Sequence, residues 1–148
     1  MLKRRFPNLL LLAICCSCVA GCGAGGNPST VREGHQVKVF CDEKPIGGVE
    51  VRLFNVPYIE GDKPIYAGFS DTSGAAYLTP AGDGAPAIDA IRWQVAVLSD
   101  GDGSWMIDPK FNDPAKAGID LQFDTAGTSG DSAPAIRLPG SAIRPMTR

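Results

Sequence analysis

The sequence predicts an all-β fold, an antiparallel β-sandwich of about seven strands. Apolar residues alternate with polar residues with a period of two from Gln36 onward, which is the pattern of half-buried strands. Turn-forming residues separate these runs, and 18 glycines and 12 prolines in 148 residues leave little room for long helices. Several short strands separated by such turns are typical of a sandwich.

Four runs alternate most clearly, and their inward-facing residues are Val37, Val39 and Cys41; Val49, Val51 and Leu53; Ile91, Trp93, Val95 and Val97; and Ile119, Leu121 and Phe123. Three shorter runs, at 65–70, 75–79 and 135–138, complete the seven strands. Turns are predicted at 44–48, 71–74 and 100–103, and one helical turn near 113–116. We expect a core of Val39, Val51, Leu53, Trp93, Val95, Leu121 and Phe123, with Cys41 as a small core residue.

The first 21 residues have the layout of a secretory signal peptide. Three cations at 3–5 precede an apolar run at 6–20, which is shorter than the roughly 20 residues that span a bilayer. The run ends in Val19-Ala20-Gly21-Cys22, which resembles the lipobox of bacterial lipoproteins. The resemblance implies cleavage before Cys22 and attachment of a diacylglyceryl group to its thiol. An uncleaved anchor and secretion without lipid are the alternatives.

With cleavage before Cys22, the chain is predicted to divide into four segments. Residues 1–21 are the lipoprotein signal peptide, 22–34 a lipidated flexible tether rich in glycine, 35–140 the β-sandwich and 141–148 a C-terminal tail. Two or more acyl chains hold a protein stably on a bilayer. The expected location is therefore the extracytoplasmic face of the cell membrane or the outer membrane.

The net charge and the cysteine content limit which binding partners and which disulfides the mature chain can have. The signal peptide carries three of the 14 Lys and Arg residues and none of the 16 Asp and Glu residues, so the mature net charge is −5. This balance argues against nucleic acid and against electrostatic attraction to anionic lipid. Three of the five cysteines leave with the signal peptide and Cys22 takes the lipid. Cys41 then has no partner for an intramolecular disulfide.

Three segments resemble the carboxypeptidase regulatory-like domain: QVKV at 36–39, KPIGGVEV at 44–51 and SDTSGAAYL at 70–78. The segment IDPKFNDPAKAGI at 107–119 is similar to one in small bacterial lipoproteins of this class. The resemblance implies a transthyretin-like (prealbumin-like) sandwich of about seven strands. It also implies structural or interaction roles, and it supplies no catalytic residues.

The residues offer little for catalysis. His35 is the only histidine, and no serine lies in a G-x-S-x-G motif. His35 and Cys41 together are fewer ligands than zinc requires. The acidic turn at 100–103 lacks the glycine and glutamate of a calcium loop. We therefore expect no enzymatic activity, no metal and no cofactor.

The predicted function is that of a membrane-anchored, non-enzymatic structural or interaction module of the cell envelope. A small-ligand module, with glycan as the ligand, is the alternative. Tyr58, Trp105 and Phe111 lie in predicted loops, where aromatic rings can stack on sugars or pack on proteins. They can instead fold down over one end of the sandwich. The expected partners are the membrane, through the lipid on Cys22, and envelope proteins or glycans.

Overall fold

The computed structural model of the chain describes residues 34–89, 91–99, 104–124 and 133–146. The predictions for the signal peptide, the tether, Cys22 and the turn at 100–103 lie outside the described residues. Within them the secondary structure is mostly β, as the alternation predicted.

The strands of the described residues are β1 (His35–Cys41), β2 (Lys44–Pro45), β3 (Val49–Phe54), β4 (Tyr66–Phe69), β5 (Ala75–Pro80), β6 (Trp93–Ser99), β7 (Trp105–Ile107), β8 (Asp120–Leu121), β9 (Ala135–Leu138) and β10 (Ile143–Pro145). Within these same residues, helical structure is confined to short pieces, which are a 3₁₀ turn at Pro109–Asn112, the helix α1 (Pro114–Ala117) and a 3₁₀ turn at Gly140–Ala142. Asp113 caps α1, and its carboxylate accepts from the Ala115 amide. The predicted helical turn is thus confirmed.

One curled sheet dominates the fold, with the order β2-β1-β5-β4-β3-β6-β8. Neighbours along this path are antiparallel. β1 divides its hydrogen bonds, since His35–Lys38 pairs with β5 and Lys38–Cys41 pairs with β9. β9 runs parallel to β1, which departs from the expected all-antiparallel pairing. A separate two-stranded ribbon joins β7 to β10.

The predicted core is confirmed. The residues expected inside are at most 6% exposed, and these are Val39, Val51, Leu53, Trp93, Val95, Leu121 and Phe123. The Trp93 indole N–H donates to the Ile88 carbonyl at 2.6 Å, so its polar edge is satisfied inside the core. Its ring meets Tyr66 edge-on, with centroids 5.5 Å apart.

Some positions differ from the alternating pattern. Phe54 and Ala96 alternate with the inward-facing residues of their runs, a pattern that predicts an outward orientation, but both are buried. Tyr58 covers Phe54, with ring centroids 5.2 Å apart in an edge-to-face contact. Cys41 is only half-buried, because it ends β1, where its thiol donates to the Pro139 carbonyl. Ile91 precedes β6 and is exposed.

The folded region extends beyond the boundary expected at residue 140. Ala142 and Ile143 are buried, and β10 pairs with β7 in register Ile143 to Ile107. Residues 141–146 are therefore part of the folded body.

The strand registers define two ends of the main sheet. Gly34 precedes β1 at one of them, which we name the entry end. The residues there are His35, Leu78, Pro80, Tyr66, Phe54, Gln94 and Trp93. The opposite end, named the far end, holds Cys41, Ala75, Phe69, Val49 and Ser99.

Candidate functional site

The segment SDTSG at 70–74 forms a tight turn at the far end. The Asp71 carboxylate accepts from the amides of Ser73 and Ala75 and from the Ser73 hydroxyl. Gly74 adopts φ of +78°, and a β-carbon there would lie 2.7 Å from the Val39 carbonyl oxygen. The turn therefore requires glycine for both conformation and space.

The loop between β2 and β3 packs on that turn. The Gly47 backbone lies directly against the Asp71 carbonyl, and the buried Ser70 hydroxyl accepts from the Val49 amide at 3.1 Å. The Trp105 indole N–H donates to the Gly47 carbonyl at 2.8 Å. The segments KPIGGVEV and SDTSGAAYL thus contact each other in the fold. Their contacts are backbone packing and a hydrogen bond, which stabilise this end of the sheet.

The three aromatic residues proposed as contacts are not brought together. Trp105 is half-buried at the far end in β7, where its indole edge bonds to Gly47. Phe111 is 6% exposed and belongs to the core. Tyr58 is half-buried at the entry end, where its amide donates to the Gln94 side-chain oxygen at 2.6 Å. Phe111 therefore folds into the body, and Trp105 and Tyr58 lie at opposite ends of the sheet.

His35 and Cys41 also lie apart, at the two ends of β1. Six residue steps along a strand separate them by about 20 Å. The His35 ring meets Phe123 edge-on, with centroids 6.0 Å apart. Burial, and secondarily the charge of Asp42, raises the pKa of the Cys41 thiol, the opposite of what activates a nucleophile. This pair can form neither a catalytic dyad nor a shared metal site.

A cavity of about 240 Å³ lies beside the β7–β10 ribbon. Residues from both strands and both 3₁₀ turns line it, and they are Met106, Ile107, Asp108, Pro109, Ser141, Ala142 and Arg144. Its volume lies below the range usual for ligand pockets. Sequence reasoning missed it because β7 and β10 are too short to show alternation and far apart in the chain.

A second cavity, of about 380 Å³, lies between Tyr58, Glu60 and the segment 112–116. Asp113 and Lys116 form an ion pair at its edge, 2.9 Å between the charged atoms. The hydrogen bond from Lys116 is the main reason that the pKa of Asp113 is lowered, and Asp113 in turn raises the pKa of Lys116. Lys116 is exposed and Asp113 is partly exposed, so water screens the pair and it contributes little to stability.

Tyr58 also belongs to an exposed apolar loop. The loop Val56–Ile59 follows β3 at the entry end, and Val56 is 48% and Ile59 66% exposed. The sequence pointed to Tyr58 but not to Val56 and Ile59, because an apolar residue in a loop can be either buried or exposed.

Within the ranges that the structure describes, no group of three or more His, Cys, Asp or Glu side chains could hold a metal ion. No helix in those ranges has both the length and the apolarity needed to cross a membrane. Comparison of the chain with protein-family models, curated proteins and solved structures gives no match.

Proposed function

We propose that this chain is a bacterial lipoprotein, cleaved before Cys22 and held by lipid on the extracytoplasmic face of the cell membrane or outer membrane. Its β domain acts there as a non-enzymatic structural or interaction module of the cell envelope. The observation that carries the proposal is the box Val19-Ala20-Gly21-Cys22, placed directly after a basic start and a short apolar run.

The position of the folded body supports the anchor. Strand β1 begins at His35, and Cys22 lies twelve residues before Gly34. That length of chain reaches at most about 40 Å when fully extended. A lipid on Cys22 would therefore keep the start of the domain within about 40 Å of the bilayer.

The proposal also covers the fold family of the β domain. We propose a transthyretin-like sandwich of the carboxypeptidase regulatory-like class. Support comes from the curled antiparallel sheet and from the contact of Gly47 with the Asp71 turn, which joins two of the segments that carry the resemblance.

The non-enzymatic role is supported by the disposition of the reactive side chains. Hydrolysis requires an activated nucleophile, a metal-bound water or paired carboxylates. His35 and Cys41 are separated along β1, and the pKa of the thiol is raised. The glycan alternative is less supported, because Phe111 is buried and the Trp105 indole N–H bonds to the protein's own backbone.

Membrane fractionation with cysteine variants tests the anchor. The full chain, expressed from its own start with labelled palmitate, should carry the label and sediment with membranes. Cys22→Ala should lose both properties. Cys18→Ala is the matched control, because it removes a cysteine of the signal peptide, and it should behave like the unaltered chain. Equal labelling of all three proteins would overturn the proposal.

A further inference from the structure

We propose that the loop Val56–Ile59 is a second membrane contact, which enters the interface of the bilayer that carries the lipid on Cys22. The inference rests on the lipid anchor proposed above. It goes further, because it assigns the entry end as the face that lies on the membrane.

The loop exposes apolar surface in one continuous run. Val56, Pro57, Tyr58 and Ile59 follow one another, and all but the half-buried Tyr58 are exposed. Exposure of such a run to water is unfavourable, and a surface that retains one typically uses it for binding. The other strongly exposed apolar residues of the described chain are not consecutive: Phe69 lies in β4, and Met106 and Met146 lie on the two paired segments of the β7–β10 ribbon. None of these segments exposes a continuous run of apolar residues like that at 56–59.

The loop lies at the end where the chain enters the domain. Phe54, which precedes it, pairs with Gln94, and β1 begins at the same end with His35 opposite Leu78. Gly34, the residue before β1, packs closely on β5, because a β-carbon there would lie 2.8 Å from the Leu78 carbonyl oxygen. The chain therefore enters the folded domain at this end. The apolar run therefore lies at the end of the domain where the chain that follows Cys22 enters it. Ile91, 36% exposed before β6, adds apolar surface there.

The loop is held in shape by its own hydrogen bonds. The Ile59 amide donates to the Asp62 carboxylate at 3.1 Å, and the Asp62 amide donates to the Ile59 carbonyl at 2.9 Å. The Tyr58 amide is fixed to Gln94. A loop of defined shape loses less conformational freedom when it enters the interface.

The chemistry of the run favours the bilayer interface over an anionic lipid site. Aliphatic side chains enter the acyl boundary, and a tyrosine ring with its hydroxyl suits the headgroup level. The next charged residues are Glu60, Asp62 and Lys63, which give no net positive charge. Insertion should therefore occur in neutral phosphatidylcholine and should not depend on salt.

The test uses the full lipidated protein in phosphatidylcholine vesicles. An environment-sensitive fluorophore is placed on Ile59→Cys in a Cys41→Ser background. The matched control carries the same fluorophore on Met106→Cys, since Met106 is 58% exposed and lies in the ribbon packed at the far end. Lipids brominated along their acyl chains quench the fluorophore only where it enters the bilayer. We expect loss of emission from position 59 and none from position 106, at low and high salt alike.

The outcomes separate the inference from the anchor on which it rests. Protein that fails to float with the vesicles would contradict the anchor itself. Protein that floats, but with position 59 unquenched or both positions quenched equally, would overturn the loop contact while leaving the anchor intact. A fluorophore at position 59 that is shielded from water in detergent, and unquenched in vesicles, would indicate a protein partner or a second copy instead.

Discussion

The backbone of Gly47 rests directly on the backbone carbonyl of Asp71. A β-carbon on Gly47 would overlap that carbonyl oxygen and would lie 2.9 Å from the Thr72 α-carbon. The loop before β3 and the turn before β5 are therefore packed backbone to backbone, with no room for a side chain between them.

Replacing Gly47 with alanine should destabilise the fold, because backbone atoms on both sides would have to move. We expect a loss of about 1–3 kcal/mol, the usual cost of overpacking. Gly82→Ala is the matched control, since nothing lies within 4 Å of a β-carbon there, and it should change stability by no more than about 1 kcal/mol. Urea unfolding followed by tryptophan fluorescence measures both. Equal stability of the two variants would contradict the packing.

The long strands could be predicted from the sequence because their alternation repeats over several residues. β1, β3 and β6 each bury one face on the core, and Trp93 and Val51 are on it as expected. β7 and β10 have three residues each, and their pairing depends on packing across the chain. A period of two cannot be recognised in so few residues.

Which residues are exposed was harder to predict, because the paths of the loops determine which side chains they cover. Phe54 is buried because the next loop folds Tyr58 over it. Phe111 lies in a 3₁₀ turn whose other residues are exposed, so its burial depends on tertiary packing. The exposure of Val56 and Ile59 likewise follows from the path of a loop. Residue types alone pointed to Tyr58, but not to the surface that it shares with its neighbours.

Truncation of Trp93 tests the core. Trp93→Ala removes a fully buried ring and its hydrogen bond to Ile88, and should cost about 3–5 kcal/mol. Phe69→Ala, at a ring that is 56% exposed, should change stability by no more than about 0.5 kcal/mol. Thermal unfolding monitored by circular dichroism compares the two. A small effect at Trp93 would place that face of β6 outside the core.

The Asp113–Lys116 pair predicts a pH dependence. In the folded protein the pKa of Asp113 is lowered, mainly by the hydrogen bond from Lys116. The stabilisation of the fold by ionised Asp113 is therefore fully present above the ordinary pKa of an aspartate carboxyl. It is lost as the pH falls through the lowered folded value. Lys116→Gln should raise the pKa of Asp113, as measured by NMR titration of its carboxyl carbon. Lys110→Gln, which removes a cation that forms no ion pair with Asp113, should leave the midpoint in place. Identical midpoints in the two variants would rule out the ion pair as the cause.

The separation of His35 from Cys41 predicts no turnover that depends on either residue. A panel of ester, glycoside and peptide substrates should give only background rates with the full lipidated protein. His35→Ala and Cys41→Ser should give the same rates, since neither side chain has a catalytic partner in the other. Activity above background that disappears in one of these variants would require a catalytic site that the proposed function does not contain.

The mass of the N-terminal peptide tests the central claim, lipid attachment at Cys22, most directly. The mature protein is extracted from membranes of expressing cells and digested, and its first peptide is analysed by mass spectrometry. The proposed function predicts a peptide that begins at Cys22 and carries a diacylglyceryl group on the thiol. A mature chain that begins elsewhere, or an unmodified Cys22, would contradict the claim.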